Sequence, residues 1–133
     1  MTRLFTLLIL TACSGGCARY TFVHAPGATG RLIDPVNNVW LSGARITRPA
    51  MMSQRDHDLA LPSITVHADK NGNFDLPPFR ESKWVFIYRR NPYSITSSFL
   101  VTADGYTTNE LHGVATSRIS WRVEFGEVIL RKP

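Results

Sequence analysis

Residues 67–79, "HADKNGNFDLPPF", set Asp69, Asn71, Asn73 and Asp75 at alternate positions around Gly72. Two structures fit such a stretch: a calcium loop, or a tight turn between two strands. A calcium loop of the helix–loop–helix type, counted from Asp69, needs Gly at its sixth position and a bidentate Glu at its twelfth. Phe74 and Arg80 stand there. A cation in place of the last carboxylate has the wrong sign, so the calcium reading fails. A two-residue Asn71-Gly72 loop would set Ala68 opposite Asp75 and mix the faces of the two strands. A three-residue loop, Lys70-Asn71-Gly72, sets Ala68 opposite Phe74 and Val66 opposite Leu76 on an apolar face. It leaves His67 opposite Asp75, and Asp69 opposite Asn73, on a polar one. A one-residue slip would put Phe74 and Leu76 in water. Such loops end on a left-handed residue, so Gly72 is predicted at positive φ beside a bulge. His67 and Asp75 would then form a cross-strand pair of minor energetic weight.

The period-two pattern recurs on both sides of this turn. "GRLID" (30–34) reads as a short strand, ended by Pro35 and turned at Asn37-Asn38. "VWLSGARITR" (39–48) reads as the next, with a bulge at Gly43. Residues 47–61 lack clean alternation and read as a long connection with room for one helical turn. "SITVHAD" (63–69) alternates, with Ile64, Val66 and Ala68 on one face. "WVFIYRR" (84–90) and "SSFLVTAD" (97–104) are two further strands. "ISWRVEFGEVIL" (119–130) places Ile119, Trp121, Val123 and Phe125 on one side, then shifts phase to Val128 and Leu130. A bulge at Gly126 would return both sets to the core. The 133 residues are 44% hydrophobic and 19% charged, with 8 Pro and 9 Gly, a balance suited to one domain of short strands and turns. About seven strands in about 100 residues describe an all-β, Ig-like antiparallel sandwich.

The first 13 residues, "MTRLFTLLILTAC", carry one Arg, an apolar run from Leu4 to Leu10, and small residues before Cys13. The segment reads as a secretory signal, too short to span a bilayer. Its end, Leu10-Thr11-Ala12-Cys13, resembles the lipobox of bacterial lipoproteins. That resemblance implies cleavage of residues 1–12, acylation of Cys13, and attachment to the lipid bilayer by more than one acyl chain. Ser14 is not the Asp associated with inner-membrane retention, which by the family rule implies the outer membrane, facing the periplasm. A plain secretory signal cut after Ala18 and a buried N-terminal helix are the competing readings. Residues 13–29 are expected to form the lipidated Cys and a tether, with a short strand at Tyr20 to Val23, and the domain to span 30–133. The two Cys both lie in the leader region, so the folded body is expected to have no disulfide. The formal charge is +5, with no Lys/Arg block beyond pairs such as Arg89-Arg90 and Arg131-Lys132. A solvated surface with no special partner suits that balance first, anionic head groups or acidic polymers second, and no nucleic-acid reading motif is present.

Four segments, in order, resemble the carboxypeptidase regulatory-like domain. They are "GRLIDPVNNVWLSGARI" (30–46), "HADKNGNFDLPPF" (67–79), "FLVTADGYTT" (99–108) and "FGEVILRKP" (125–133). The resemblance implies a transthyretin-like sandwich serving as an accessory module that binds, spaces or stabilises without catalysis. The sequence departs from the pattern in the long 47–61 connection and in the added "RESKWVFIYRRNPYSITSS" (80–98).

The chemistry-bearing residues are few. His24, His57, His67 and His112 are scattered, without metal-ligand spacing, and no metal or other cofactor is expected. Arg55 to Asp58, "RDHD", reads as a solvated polar loop before it reads as a ligand set. No G-x-S-x-G stands in the chain, and the Tyr-Arg-Gly-Ser ending of hydroxyisourate hydrolases is absent, so no enzymatic activity is expected. Asn71 and Gly72 are expected to be structural. The candidate partner surface is Trp84, Phe86 and Tyr88 beside Arg89 and Arg90, aromatic and basic side chains that suit an envelope protein or a glycan. Cover by the 47–61 connection is the competing explanation for that apolar strand. The expected function is therefore an exported, membrane-anchored lipoprotein that displays a β-sandwich as a binding or assembly module. A small hydrolase on the same scaffold, marked by a cleft gathering His and Arg, and a lipoprotein subunit of a secretion machine are the alternatives.

Overall fold

A computed structural model describes residues 18–85, 94–117 and 120–133. Every regular element in them is a strand, and no helix long and apolar enough to cross a membrane occurs among them. In chain order the strands are β1 (Ala18–Ala25), β2 (Gly27–Asp34), β3 (Val39–Trp40), β4 (Arg45–Arg48), β5 (Met51–Met52) and β6 (Ala60–Leu61). Then follow β7 (Ile64–His67), β8 (Asn73–Leu76), β9 (Phe79–Val85), β10 (Ser94–Thr102), β11 (Asn109–Thr116) and β12 (Arg122–Ile129).

One four-stranded sheet has the order β11-β10-β4-β7. The other centres on β2, with β12 along one edge and β8 and β3 sharing the other. Between them lies a core of Leu32, Phe74, Leu76 and Val128 from one sheet and Ile46, Phe99, Val101 and Ala115 from the other. Each large aliphatic or aromatic side chain removed from water there contributes about 1.5–3 kcal/mol. Small residues fit where large ones intrude: a Cβ on Gly30 would lie 2.9 Å from the Phe74 ring. Two ribbons, β1-β9 and β5-β6, complete the all-β architecture.

The Gly126 expectation holds. Gly126 has φ 62°, the β12–β2 register shifts between Glu124 and Glu127, and Val123, Val128 and Leu130 are all buried. The loop at Lys70-Asn71-Gly72 also closes with Gly72 at positive φ, although the strand pairing read beyond it, Ala68 with Phe74 and Val66 with Leu76, does not form. The Gly72 N–H donates to the Asp69 carbonyl (2.9 Å), the Asp69 N–H to the Asn73 carbonyl (2.8 Å), and Gly72 has φ 76°. The Asp69 carboxylate accepts the N–H groups of Asn71 and Asn73 at 2.8 and 2.9 Å, which holds it below the usual range.

Other expectations are corrected. The strands do not stay paired beyond that turn: β7 pairs β4 in one sheet and β8 pairs β2 in the other. The segment is a corner joining the two layers. His67 therefore lies opposite Arg45, while Asp75 accepts from Arg122 Nε at 2.8 Å. Residues 39–48 are not one bulged strand. They break around Gly43 (φ 74°), whose N–H donates to the Ala68 carbonyl, and β3 and β4 join different sheets. Residues 47–61 hold no helical turn but the β5–β6 hairpin. The tether boundary at 29 falls inside a strand: β1 begins at Ala18 and pairs with β9 along its length. The sandwich is not purely antiparallel, since β12 runs parallel to β2. Strand β11 was not expected at all.

Candidate functional site

Where β1 leaves the sandwich it carries buried residues on both faces, Phe22 to Ala25 in succession. Val23 packs inward with Ile95 and Trp121. Phe22 and His24 face the opposite way, toward the loop joining β5 to β6. A register shift between Val23 and Ala25 on the β9 side marks a bulge at His24.

That loop is built on Ser53. Its Oγ accepts the N–H groups of Arg55 (3.2 Å) and Asp56 (3.0 Å), and its own N–H donates to the Leu59 carbonyl (2.9 Å). Asp56 Oδ1 accepts from the Asp58 N–H at 3.2 Å. Two contacts fix the loop to β1. The Arg55 guanidinium lies 4.0 Å from the Phe22 ring centroid, and Ser53 Oγ lies 2.8 Å from His24 Nδ1. With both acceptor positions of Oγ taken by backbone donors, its hydroxyl hydrogen goes to Nδ1, and the imidazole proton sits on Nε2. Nε2–H then donates to Glu81 Oε2 at 3.1 Å, and Lys83 Nζ reaches the same oxygen at 3.0 Å. Glu81 is held below the usual carboxylate range, first by Lys83 and then by His24.

Above this chain of bonds opens a cleft of about 650 Å3, bordered by Phe22, His24, Arg55, His57, Lys83 and Trp84. Its charges are mixed, with Asp56, Asp58 and Glu81 against Arg55 and Lys83. Two aromatic rings supply apolar area. Trp84, the expected partner residue, stands at the rim and is 70% exposed. A second depression, of about 500 Å3 and lined by Met51, Gln54, Thr96 and His112, gathers less of this chemistry.

Of the residues singled out from sequence, the cleft brings together Trp84 and the Arg55–Asp58 loop. Asn71 and Gly72 lie in the corner already described. Cys13, Phe86, Tyr88, Arg89 and Arg90 lie outside the described residues. Among the described residues no three His, Cys, Asp or Glu side chains converge to hold a metal ion. Ser53 and Glu81 were missed, and His24, read as one of four scattered His, shares the cleft with His57. The alternation of Tyr20, Phe22 and His24 in "RYTFVHA" was the available signal, a strand pattern inside the segment read as tether.

Ser53, His24 and Glu81 recite the order of a nucleophilic triad but not its accessibility. Ser53 is fully buried, and its oxygen accepts two backbone bonds. A nucleophile must meet its substrate within about 3–3.5 Å, and this hydroxyl is turned into the loop that it holds.

Comparison with family models, with curated proteins and with solved structures finds no match to this chain. What stands is a small all-β protein of several, mostly antiparallel sheets.

Proposed function

We propose that the chain is an exported lipoprotein, anchored through acylated Cys13, whose β-sandwich serves as a binding module with the cleft under Trp84 as its binding face. The observation that carries this reading is the lipobox-like Leu10-Thr11-Ala12-Cys13 standing five residues before the first strand, on which the cleft is built. Mixed charges around exposed aromatic area suit a partner that is polar without strong net charge, as an envelope glycan is. The outer membrane, facing the periplasm, is the expected site.

The carboxypeptidase regulatory-like resemblance supports the same reading, because its separated segments meet in space. Tyr106 Oη, from the third segment, donates to Asp34 Oδ2 of the first at 2.8 Å. The Leu32 N–H, from the first, donates to the Gly72 carbonyl of the second at 2.9 Å. The Leu130 N–H, from the fourth, donates to the Ile33 carbonyl at 3.0 Å.

The hydrolase reading has one observation in its favour, the gathering of His24, His57 and Arg55 at one cleft. The buried, doubly accepting Ser53 favours binding over it. The deciding experiment recovers the acylated protein from membranes with whatever accompanies it, in wild type and Trp84→Ala. Loss of the companion with the fold intact supports the module. An unchanged companion set removes the cleft from the account, and a Cys13→Ala protein that still labels with palmitate removes the anchor.

A further inference from the structure

The β1–β9 register sets Ala18 opposite Val85 and Arg19 opposite Trp84 at the end of the ribbon where the chain arrives from Cys13. Five Cα steps separate Cys13 from Ala18. A fully extended chain advances roughly 3.3–3.6 Å per residue, so this end can stand no more than about 18 Å from the acylated residue. The head-group layer itself is about 5–8 Å deep on each side of the hydrocarbon core. A ribbon held so closely lies within reach of the head-group surface, and what it presents there matters.

It presents an exposed tryptophan with a cation beside it. Trp84 is 70% exposed, and Arg19 across from it is exposed. A ring with an apolar body and a polar N–H is most favourably placed at the head-group boundary. Long basic side chains lay their stems on apolar surface and reach phosphate with their charged ends. Each basic group close to an anionic leaflet contributes about 1 kcal/mol.

Resting on the lipidation of Cys13, we propose that the Ala18/Val85 end of the β1–β9 ribbon seats on the lipid head groups. Trp84 lies in the interface, and Arg19 lies toward anionic phosphates. The cleft then opens beside the bilayer rather than away from it.

The test uses the full-length acylated protein in vesicles of phosphatidylethanolamine and phosphatidylglycerol whose acyl chains carry bromine near the head group. The chain has three Trp. Trp121 is buried, and Trp40 is half-buried with the Arg31 guanidinium 3.2 Å from its ring centroid. Brominated lipid should therefore quench mainly Trp84, with a blue shift of its emission. Trp84→Phe should abolish the quenchable component while the circular dichroism spectrum stays that of the wild type. Arg19→Gln should lower quenching on phosphatidylglycerol vesicles toward the level on neutral phosphatidylcholine. Acylated, membrane-bound protein whose quenching is the same with and without Trp84 overturns the seating. So does a Trp84 shielded from both brominated lipid and aqueous acrylamide, which marks a second copy or a protein partner on the ribbon. Failure of the anchor reads out separately, as absence of palmitate on wild-type protein.

Discussion

Gly113 on β11 faces Val123 on β12, and a Cβ placed on it would lie 2.2 Å from Val123 Cγ1, 3.0 Å from Cγ2 and 3.1 Å from Cβ. The contact with Cγ1 is far inside ordinary approach, so Gly113→Ala must displace the Val123 side chain from its packed position and press the sheets apart by a few tenths of an ångström. Overpacking of this kind costs about 1–3 kcal/mol. The entropic gain of Ala over Gly in a strand offsets only about 0.5–1 kcal/mol. Gly113→Ala should therefore destabilise the wild-type protein. Val123→Ala alone deletes two buried methyl groups at about 0.8 kcal/mol each, plus a cavity contribution. In that background the two methyl groups are gone and the methyl of Gly113→Ala enters the space they leave, while the Val123 Cβ stays at 3.1 Å. There the same substitution should cost much less than in the wild type, because only a contact that a few tenths of an ångström relieves is left. The difference gives a coupling energy of about 1–3 kcal/mol, within the range for residues in contact. Urea unfolding of the four proteins measures it, since slopes of about 1–3 kcal/mol/M turn such differences into resolvable midpoint shifts. Additivity within about 0.5 kcal/mol, or a stabilising Gly113→Ala in the wild type, would refute the packing of β11 against β12.

Ser53→Ala removes the hydroxyl that bonds His24 Nδ1 and two part-buried N–H groups, and should cost roughly 1–3 kcal/mol in thermal or urea unfolding. A triad nucleophile would instead lose ester hydrolysis at unchanged stability. Asp34 is held down at about 2, below its ordinary 3.8, chiefly by bonds from Asn37 and Tyr106. Its contribution to stability is thus fully present above about pH 4 and lost as pH falls toward 2, and Tyr106→Phe should raise the carboxyl titration followed by NMR. Gly72→Asn should destabilise although Asn tolerates φ 76°, because its Cβ would meet the Leu32 carbonyl oxygen at 2.7 Å; Gly43→Asn, at φ 74° with nothing within 4 Å, should be nearly neutral. Arg48→Met should speed hydrogen exchange in β1 and β9 while β2 and β10 keep their protection; uniform acceleration would show that Arg48 supports the whole fold and not the ribbon.

The faces of strands were legible because burial has a period of two. Ile64, Val66 and Ala68, and Val123 shifting to Val128 across Gly126, point where their alternation says. Partners were not legible in the same way. A strand alternates identically whether its neighbour is the next hairpin arm or a strand of the same sheet far along the chain, so the corners at Gly43 and at 69–73 gave no warning. Strand β11 was hidden by its own packing. Its inward residues are Leu111, Gly113 and Ala115, and the latter two are small because Val123 and the facing sheet fill the space. The cleft was hidden by distance in the chain: His24 meets a residue 29 positions away on one nitrogen and another 57 positions away on the other.

Among the described residues the ribbon that carries the cleft is joined to the sandwich at Pro26 and at Pro77, and one side chain holds both. Pro26 stands between β1 and β2, and Pro77 between β8 and β9. Arg48, 1% exposed, donates from Nη1 to the carbonyl of Pro26 at 2.9 Å and of Pro77 at 3.4 Å. Neither proline has an N–H of its own to join a ladder there, so the backbone alone cannot fix the exit angle. Burying a guanidinium whose Nε finds no partner is costly, and desolvation lowers its pKa accordingly. A neutral side chain of similar length would avoid that cost but would leave both carbonyls free to turn. The cation is therefore best understood as setting direction rather than adding stability. It fixes where the ribbon points relative to the sheets, and with it the angle at which Phe22 and His24 meet the Ser53 loop. Cleft geometry and ribbon orientation are one degree of freedom in this protein, so a ligand in the cleft and a surface against Trp84 would each bias the other.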